Sequence, residues 1–183
     1  ADLVTSGGLP LAWALRQLGV ASATRVYGPK LIPAVLRAAD REGFRAGFYG
    51  GSLETLRRIT ELTSREYPGL IGYHFSPPSR ELTPEEDQMI VHRINTSGIQ
   101  ILFVGLGSPG QEKWMAAHKN RVRAVMLGAG AAFDFVDTAK VQATSASRMS
   151  RWARPSLRSI AVKQFWRDLK HNPLFVAHFA AQL

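Results

Sequence analysis

The sequence predicts an α/β fold: a mostly parallel sheet with helices on both faces. Four short apolar runs, at 44–51 ("FRAGFYGG"), 69–75 ("GLIGYHF"), 100–107 ("QILFVGLG") and 123–130 ("RAVMLGAG"), read as buried strands bounded by glycine. Longer segments with apolar residues at helical spacing separate them. Strands alternating with helices at this distance call for right-handed crossovers, and such crossovers leave neighbouring strands parallel. The layout is Rossmann-like.

Taken in order, a strand-like start and the turn Ser6-Gly7-Gly8 lead into a helix at 9–18, and a second helix is expected at about 30–42. The first strand of the alternating block, 44–51, feeds a helix at 53–66. The strand at 69–75 is followed by a helix at 84–97. The strand at 100–107 ends in a glycine turn, after which Ser108 is a natural N-cap and Pro109 a natural first helical residue for 109–120. Ser108 with Gln111 then makes a capping box, and Glu112 complements the helix dipole. After the strand at 123–130 and Asp134 the alternation stops. Residues 139–155 read as a connector. Beyond Pro155, Leu157, Ile160, Ala161, Phe165 and Leu169 recur at helical steps, with Lys163, Arg167 and Lys170 on another face. This divides the chain into a Rossmann-like domain, 1–137, and a basic C-terminal appendage, 138–183. No repeat of fixed period is present.

The 183 residues, 45% apolar and 20% charged, suit one globular core. No apolar run approaches the roughly 20 residues that span a bilayer. The absence of cysteine excludes disulfides and thiolate chemistry and fits a cytoplasmic protein. The five histidines have no ligand spacing, so neither a metal nor a cofactor is expected. The chain starts at Ala1 inside a strand-like run with no leader pattern, and an upstream segment is expected to be missing. The net charge of +9 is concentrated late: from Lys140 onward eight basic residues face one acid, Asp168. Such a segment attracts phosphate, on nucleic acid, anionic lipid or a diphosphate substrate. No nucleic-acid-binding motif accompanies it, and nucleic acid is not expected as a partner.

Ligands of open α/β sheets bind at the carboxyl ends of strands, which here are tipped by glycine. Gly105 and Gly107, in "ILFVGLGSPGQEKW", are candidate nucleotide-binding positions; the motif is neither G-x-G-x-x-G nor a P-loop. Tyr73 offers either a stacking face for a base or sheet packing. Arg151, Arg154 and Arg158 share a helix face if the tail helix begins early, and there they can grip a lipid-linked diphosphate. A solvated helix docked on its own domain is the competing account of the same tail.

"INTSGIQILFVGLGSPGQEKWM" followed by "GAGAAFDF" resembles the signature of the WecG/TagA/CpsF family of bacterial glycosyltransferases. The similarity extends through "ADLV", "WALRQLG", "RVYG", "YPGLIGY", "LTPEED" and "FWRDLKHNPLF" and so covers nearly the whole chain. It implies an inverting, metal-independent enzyme. The substrates it implies are a UDP-sugar carrying a hexose or N-acetylhexosamine and a polyprenyl-diphosphate-linked glycan, in the synthesis of wall polymers or surface polysaccharides. It places Gln111 and Arg25 in the active-site pocket and Asp134 at the uridine nucleotide. It also implies a peripheral position on the inner face of the plasma membrane, held by the tail on anionic lipid; a homo-oligomer is left open. Where the family carries an Asp taken as the general base, this chain has Gly7. Lys30 and Gly110 also depart from common family residues. The rival reading is a catalytically silent homologue that binds nucleotide, lipid or a partner enzyme.

Overall fold

The computed structural model describes residues 1–7, 9–26, 28–130 and 133. The tail, with Arg151, Arg154 and Arg158, the boundary expected at 137/138 and Asp134 lie outside the described residues. The elements are α1 (Leu9–Gln17), α2 (Gly28–Arg41), β1 (Ala46–Gly50), α3 (Leu53–Glu66), β2 (Ile71–Phe75), α4 (Pro84–Thr96), β3 (Ile101–Gly105), α5 (Gly110–His118) and β4 (Val125–Gly128). Two compact units contain them, one holding the described residues 28–130 and 133 and one holding 2–26.

In the larger unit the four strands form one sheet of order β2-β1-β3-β4, parallel at every pairing. The expected Rossmann-like class is what the chain adopts. β1 runs in register with β3 from Ala46 opposite Ile101 to Gly50 opposite Gly105. The order reverses between β1 and β3: one crossover leads outward to β2, and the next passes back over β1. Side chains alternate across a strand, so β1 feeds two cores. Phe48 packs with Ile32, Leu36, Leu56, Ile59, Phe103 and Phe133, which puts α2 and α3 on one face. Tyr49 packs with Ile90, Val91, Ile94, Leu102 and Val104, with Trp114 and Met115 against them, which puts α4 and α5 on the other.

Helix starts follow local chemistry. Ser52 caps α3 by accepting from the Thr55 amide at 3.1 Å. Thr83 and Glu86 form a reciprocal capping box on α4 with Pro84 in its first turn, and the Arg80 guanidinium forks onto Glu86 with two bonds of 2.7 Å. The box expected from Ser108 and Gln111 does not form. The Ser108–Pro109 bond is cis, the helix begins at Gly110 with Pro109 as its cap, and no side chain caps it. The Gln111 side chain turns toward β4.

In the smaller unit, residues 5–7 run beside 24–26. The Val26 amide donates to the Ser6 carbonyl at 2.9 Å, the Ser6 hydroxyl to the Thr24 carbonyl at 2.6 Å, and Arg25 Nε to the Gly7 carbonyl at 3.0 Å.

Candidate functional site

The crevice beyond the carboxyl ends of the strands, where strand order reverses, is where a sheet of this kind holds ligands. Glycines border it on three strands. Gly50 has a φ of 104°, which favours glycine, and a Cβ there would come within 2.6 Å of the Gly105 backbone. The Gly51 amide donates to the Gly105 carbonyl at 2.9 Å, joining the ends of β1 and β3, and the Ser76 hydroxyl donates to the Gly51 carbonyl at 2.7 Å. Because α3 and α5 follow these strands directly, their N-terminal ends, with the positive pole of the helix dipole, lie at the same edge.

Phe133 closes the space between β1 and β3. A Cβ on Gly105 would lie 2.5 Å from its ring, and one on Gly51 would lie 3.1 Å from it. The ring meets Phe48 edge-on at 5.6 Å between centroids. Gly105 is therefore small because an aromatic ring occupies the place of its side chain. Gly107, with φ 74° and nothing within 4 Å of a would-be Cβ, is open.

Gln111 lies against the end of β4. A Cβ on Gly128 would be 3.3 Å from its Nε2 and one on Gly130 3.2 Å from its Oε1. Nε2 donates to Glu112 Oε1 at 3.0 Å, while Oε1 is buried and accepts from no described residue. An unsatisfied buried acceptor costs on the order of 1–3 kcal/mol. The family-derived position for Gln111 thus coincides with a polar atom that fold stability does not explain.

The other candidates are distributed as follows. Tyr73 sits in mid-strand opposite Gly47, half-buried among residues packed on the α4 and α5 face, and burial raises its phenol to about 12, with Arg93 acting the other way. Its hydroxyl is buried with no hydrogen-bond partner among the described residues. Gln111, Gly105 and Gly107 gather at the carboxyl edge. Arg25 belongs to the smaller unit, tied to Gly7. Among the described residues no group of three His, Asp or Glu side chains converges as a metal site would require, and no helix is long and apolar enough to cross a membrane. Sequence reasoning missed Phe133, although the same "AFDF" that drew attention to Asp134 contains it. It also missed the buried His118, whose partner Asp87 lies on another helix.

A doubly wound parallel sheet with glycine-ended strands and helix N-termini at its reversal point defines a Rossmann-like α/β protein, and the carboxyl edge of β1, β3 and β4 is its candidate ligand edge. The chain belongs to the Glycosyl transferase WecG/TagA/CpsF family, whose profile matches residues 1–183. It is 26% identical over 144 residues to proteins of Staphylococcus aureus strains NCTC 8325 / PS 47, COL and MRSA252, each named N-acetylglucosaminyldiphosphoundecaprenol N-acetyl-beta-D-mannosaminyltransferase. The match covers 78% of this chain and 55% of each relative, so the chain spans about half the length of the curated relatives it matches.

Proposed function

We propose that the chain carries the nucleotide-binding edge of an inverting, metal-independent glycosyltransferase. It takes a hexose or N-acetylhexosamine from a UDP-sugar to a polyprenyl-diphosphate-linked acceptor at the inner face of the plasma membrane. The carrying observation is Gln111: an amide whose buried acceptor meets no donor among the described residues, set against the glycine end of β4 in a chain of this family. The relatives' name supports a lipid-diphosphate acceptor and an N-acetylmannosamine-type sugar.

In the proposed reaction an acceptor hydroxyl attacks the anomeric carbon, the bond from that carbon to the diphosphate breaks, and the electron pair leaves with UDP. Backbone amides at the strand ends and helix N-termini stabilise the departing charge. Arg151, Arg154 and Arg158 add guanidinium groups to the lipid-linked diphosphate, Asp134 meets the uridine, and Gln111 serves the pocket at the end of β4, while Arg25, carried by the smaller unit, is assigned to the active site by the family resemblance alone. No cofactor is assigned.

The hydroxyl proton also needs an acceptor, a role worth about 10²–10⁴ in rate. Gly7 cannot supply one, and this favours the second reading, a silent homologue that binds without turnover. The two separate in one assay: UDP-N-acetylmannosamine and other UDP-sugars are incubated with a short-chain polyprenyl-diphosphate-GlcNAc analogue, and acceptor-dependent UDP release is followed. Release by the wild type supports the enzyme. Release only by Gly7→Asp supports the silent homologue. Among the described residues a Cβ on Gly7 would meet only the Val26 carbonyl oxygen, at 4.0 Å, an ordinary contact distance. UDP that fails to bind at saturating concentration sinks the enzyme and the nucleotide-binding form of the silent homologue.

A further inference from the structure

His118 is a titratable side chain with no part in the reaction above, yet it is buried, only 5% exposed. Its ring stacks on Trp114 at 4.1 Å, and Trp114 in turn lies 4.5 Å from the Tyr49 ring of β1. Nδ1 is 2.7 Å from the Trp114 carbonyl oxygen, and Nε2 is 2.8 Å from Asp87 Oδ1 on α4. Arg121 Nη1 donates to the other Asp87 oxygen at 2.6 Å and stands 3.3 Å from His118 Nε2.

A carbonyl and a carboxylate only accept hydrogen bonds, so a ring that serves both at once donates from both nitrogens, as the imidazolium does. A neutral ring has one N–H for two acceptors. If it keeps the Trp114 carbonyl, its bare Nε2 faces Asp87 lone pairs and turns instead to the Arg121 guanidinium, which must then divide itself between the two. Among the described residues, Asp87, Arg121 and, beyond Trp114, the Tyr49 phenol are the ionisable groups around the ring. Tyr49 itself is shifted upward by burial and then by nearby Tyr73 and Asp87.

The far end of the same helix carries the site. Gln111 and Met115, one turn apart, press on Gly128, while Trp114 and His118, also one turn apart, face β1 and α4. α5 is only nine residues long and has no side-chain cap at its start. Among the described residues, its side-chain hydrogen bond to another helix is at the His118 end. We propose that His118 is a positioning residue for Gln111: its doubly donating ring clamps α5 to α4 through Asp87 and the Trp114 carbonyl, and loss of the ring proton shifts the Gln111 amide at the end of β4.

The test is an NMR titration of the isotope-labelled chain, following the His118 ring nitrogens, the Trp114 indole N–H and the Gln111 side-chain amide against pH. In the wild type the three signals should move with one midpoint. In His118→Gln the Trp114 and Gln111 signals should be flat. Asp87→Asn, which keeps size and one acceptor but removes the carboxylate charge, should carry the common midpoint to lower pH. A Gln111 signal that does not move in the wild type, or moves equally in His118→Gln, overturns the proposal, as does an unmoved midpoint in Asp87→Asn.

A second arm uses UDP and rests on the function proposed above. Because a terminal phosphate itself titrates near pH 6, variant and wild type are compared at each pH. The Kd ratio of His118→Gln to wild type should be about fivefold where the ring is charged and should fall to about one where it is neutral. A ratio constant with pH overturns the positioning role while leaving the function standing. UDP that binds neither protein overturns the function, and the spectroscopic arm then decides His118.

Discussion

At the scale of single residues, the informative feature is a cost without a structural return. Removing an unsatisfied buried acceptor is neutral or stabilising, whereas removing a ligand-binding amide weakens the ligand. Gln111→Ala should therefore leave the urea midpoint unchanged or raised and should lower UDP affinity about tenfold by calorimetry. A lowered midpoint with unchanged affinity would make Gln111 a packing residue. Gly105 has the opposite character. A methyl there meets Phe133 at 2.5 Å, so Gly105→Ala should cost about 1–3 kcal/mol in denaturant unfolding, and adding Phe133→Ala should recover part of the loss. The sequence advertised both positions only as motif letters. It showed a glycine at 105 but not that an aromatic side chain twenty-odd positions away needs the space, because that fit depends on tertiary packing.

Elements were easier to read. The helix at 53–66 and the strands within 44–51, 69–75, 100–107 and 123–130 appear where apolar period and glycine ends put them. Each observed strand is shorter than its apolar run: β2 loses only Gly69 and Leu70, and β1, β3 and β4 close on Gly50, Gly105 and Gly128. The failure at α5 has a local cause. The residues Ser108 and Gln111 have box spacing, but the helix starts two residues after Ser108 and Gln111 has a tertiary partner surface at Gly128 and Gly130. The box that does form, at Thr83 and Glu86, was written in "LTPEED". Thr83→Ala should cost about 1 kcal/mol in chemical denaturation. The same region predicts acid sensitivity. Glu86 is held at about 2, first by the Arg80 hydrogen bonds and then by the Thr83 backbone. For Asp87 burial pushes upward, but the hydrogen bonds and charges of Arg121 and His118 together outweigh it and lower it. Both folded values lie below the unfolded ones, so this stabilisation is full above about pH 5 and is lost as pH falls toward 2. Arg80→Gln should flatten the acid limb of the unfolding curve measured by circular dichroism. An unchanged limb would remove Glu86 from that account.

Over the whole molecule, alternation gave the parallel class, but strand order was not legible, since nothing local tells a crossover to pass back over β1. The charge gradient was plain, and its partner is a matter for experiment. Binding to anionic liposomes should weaken with salt and disappear on deletion of residues 151–183; equal binding by the shortened chain would rule the tail out as anchor. The position of Phe133 bears on biosynthesis. The four described strands leave the ribosome before the ring that meets Gly51 and Gly105, so a nascent chain stopped between Gly128 and Phe133 has these strands but lacks the ring that packs edge-on against Phe48. Premature-stop products ending there should be cleared by cellular proteases, whereas those ending just past the ring should persist.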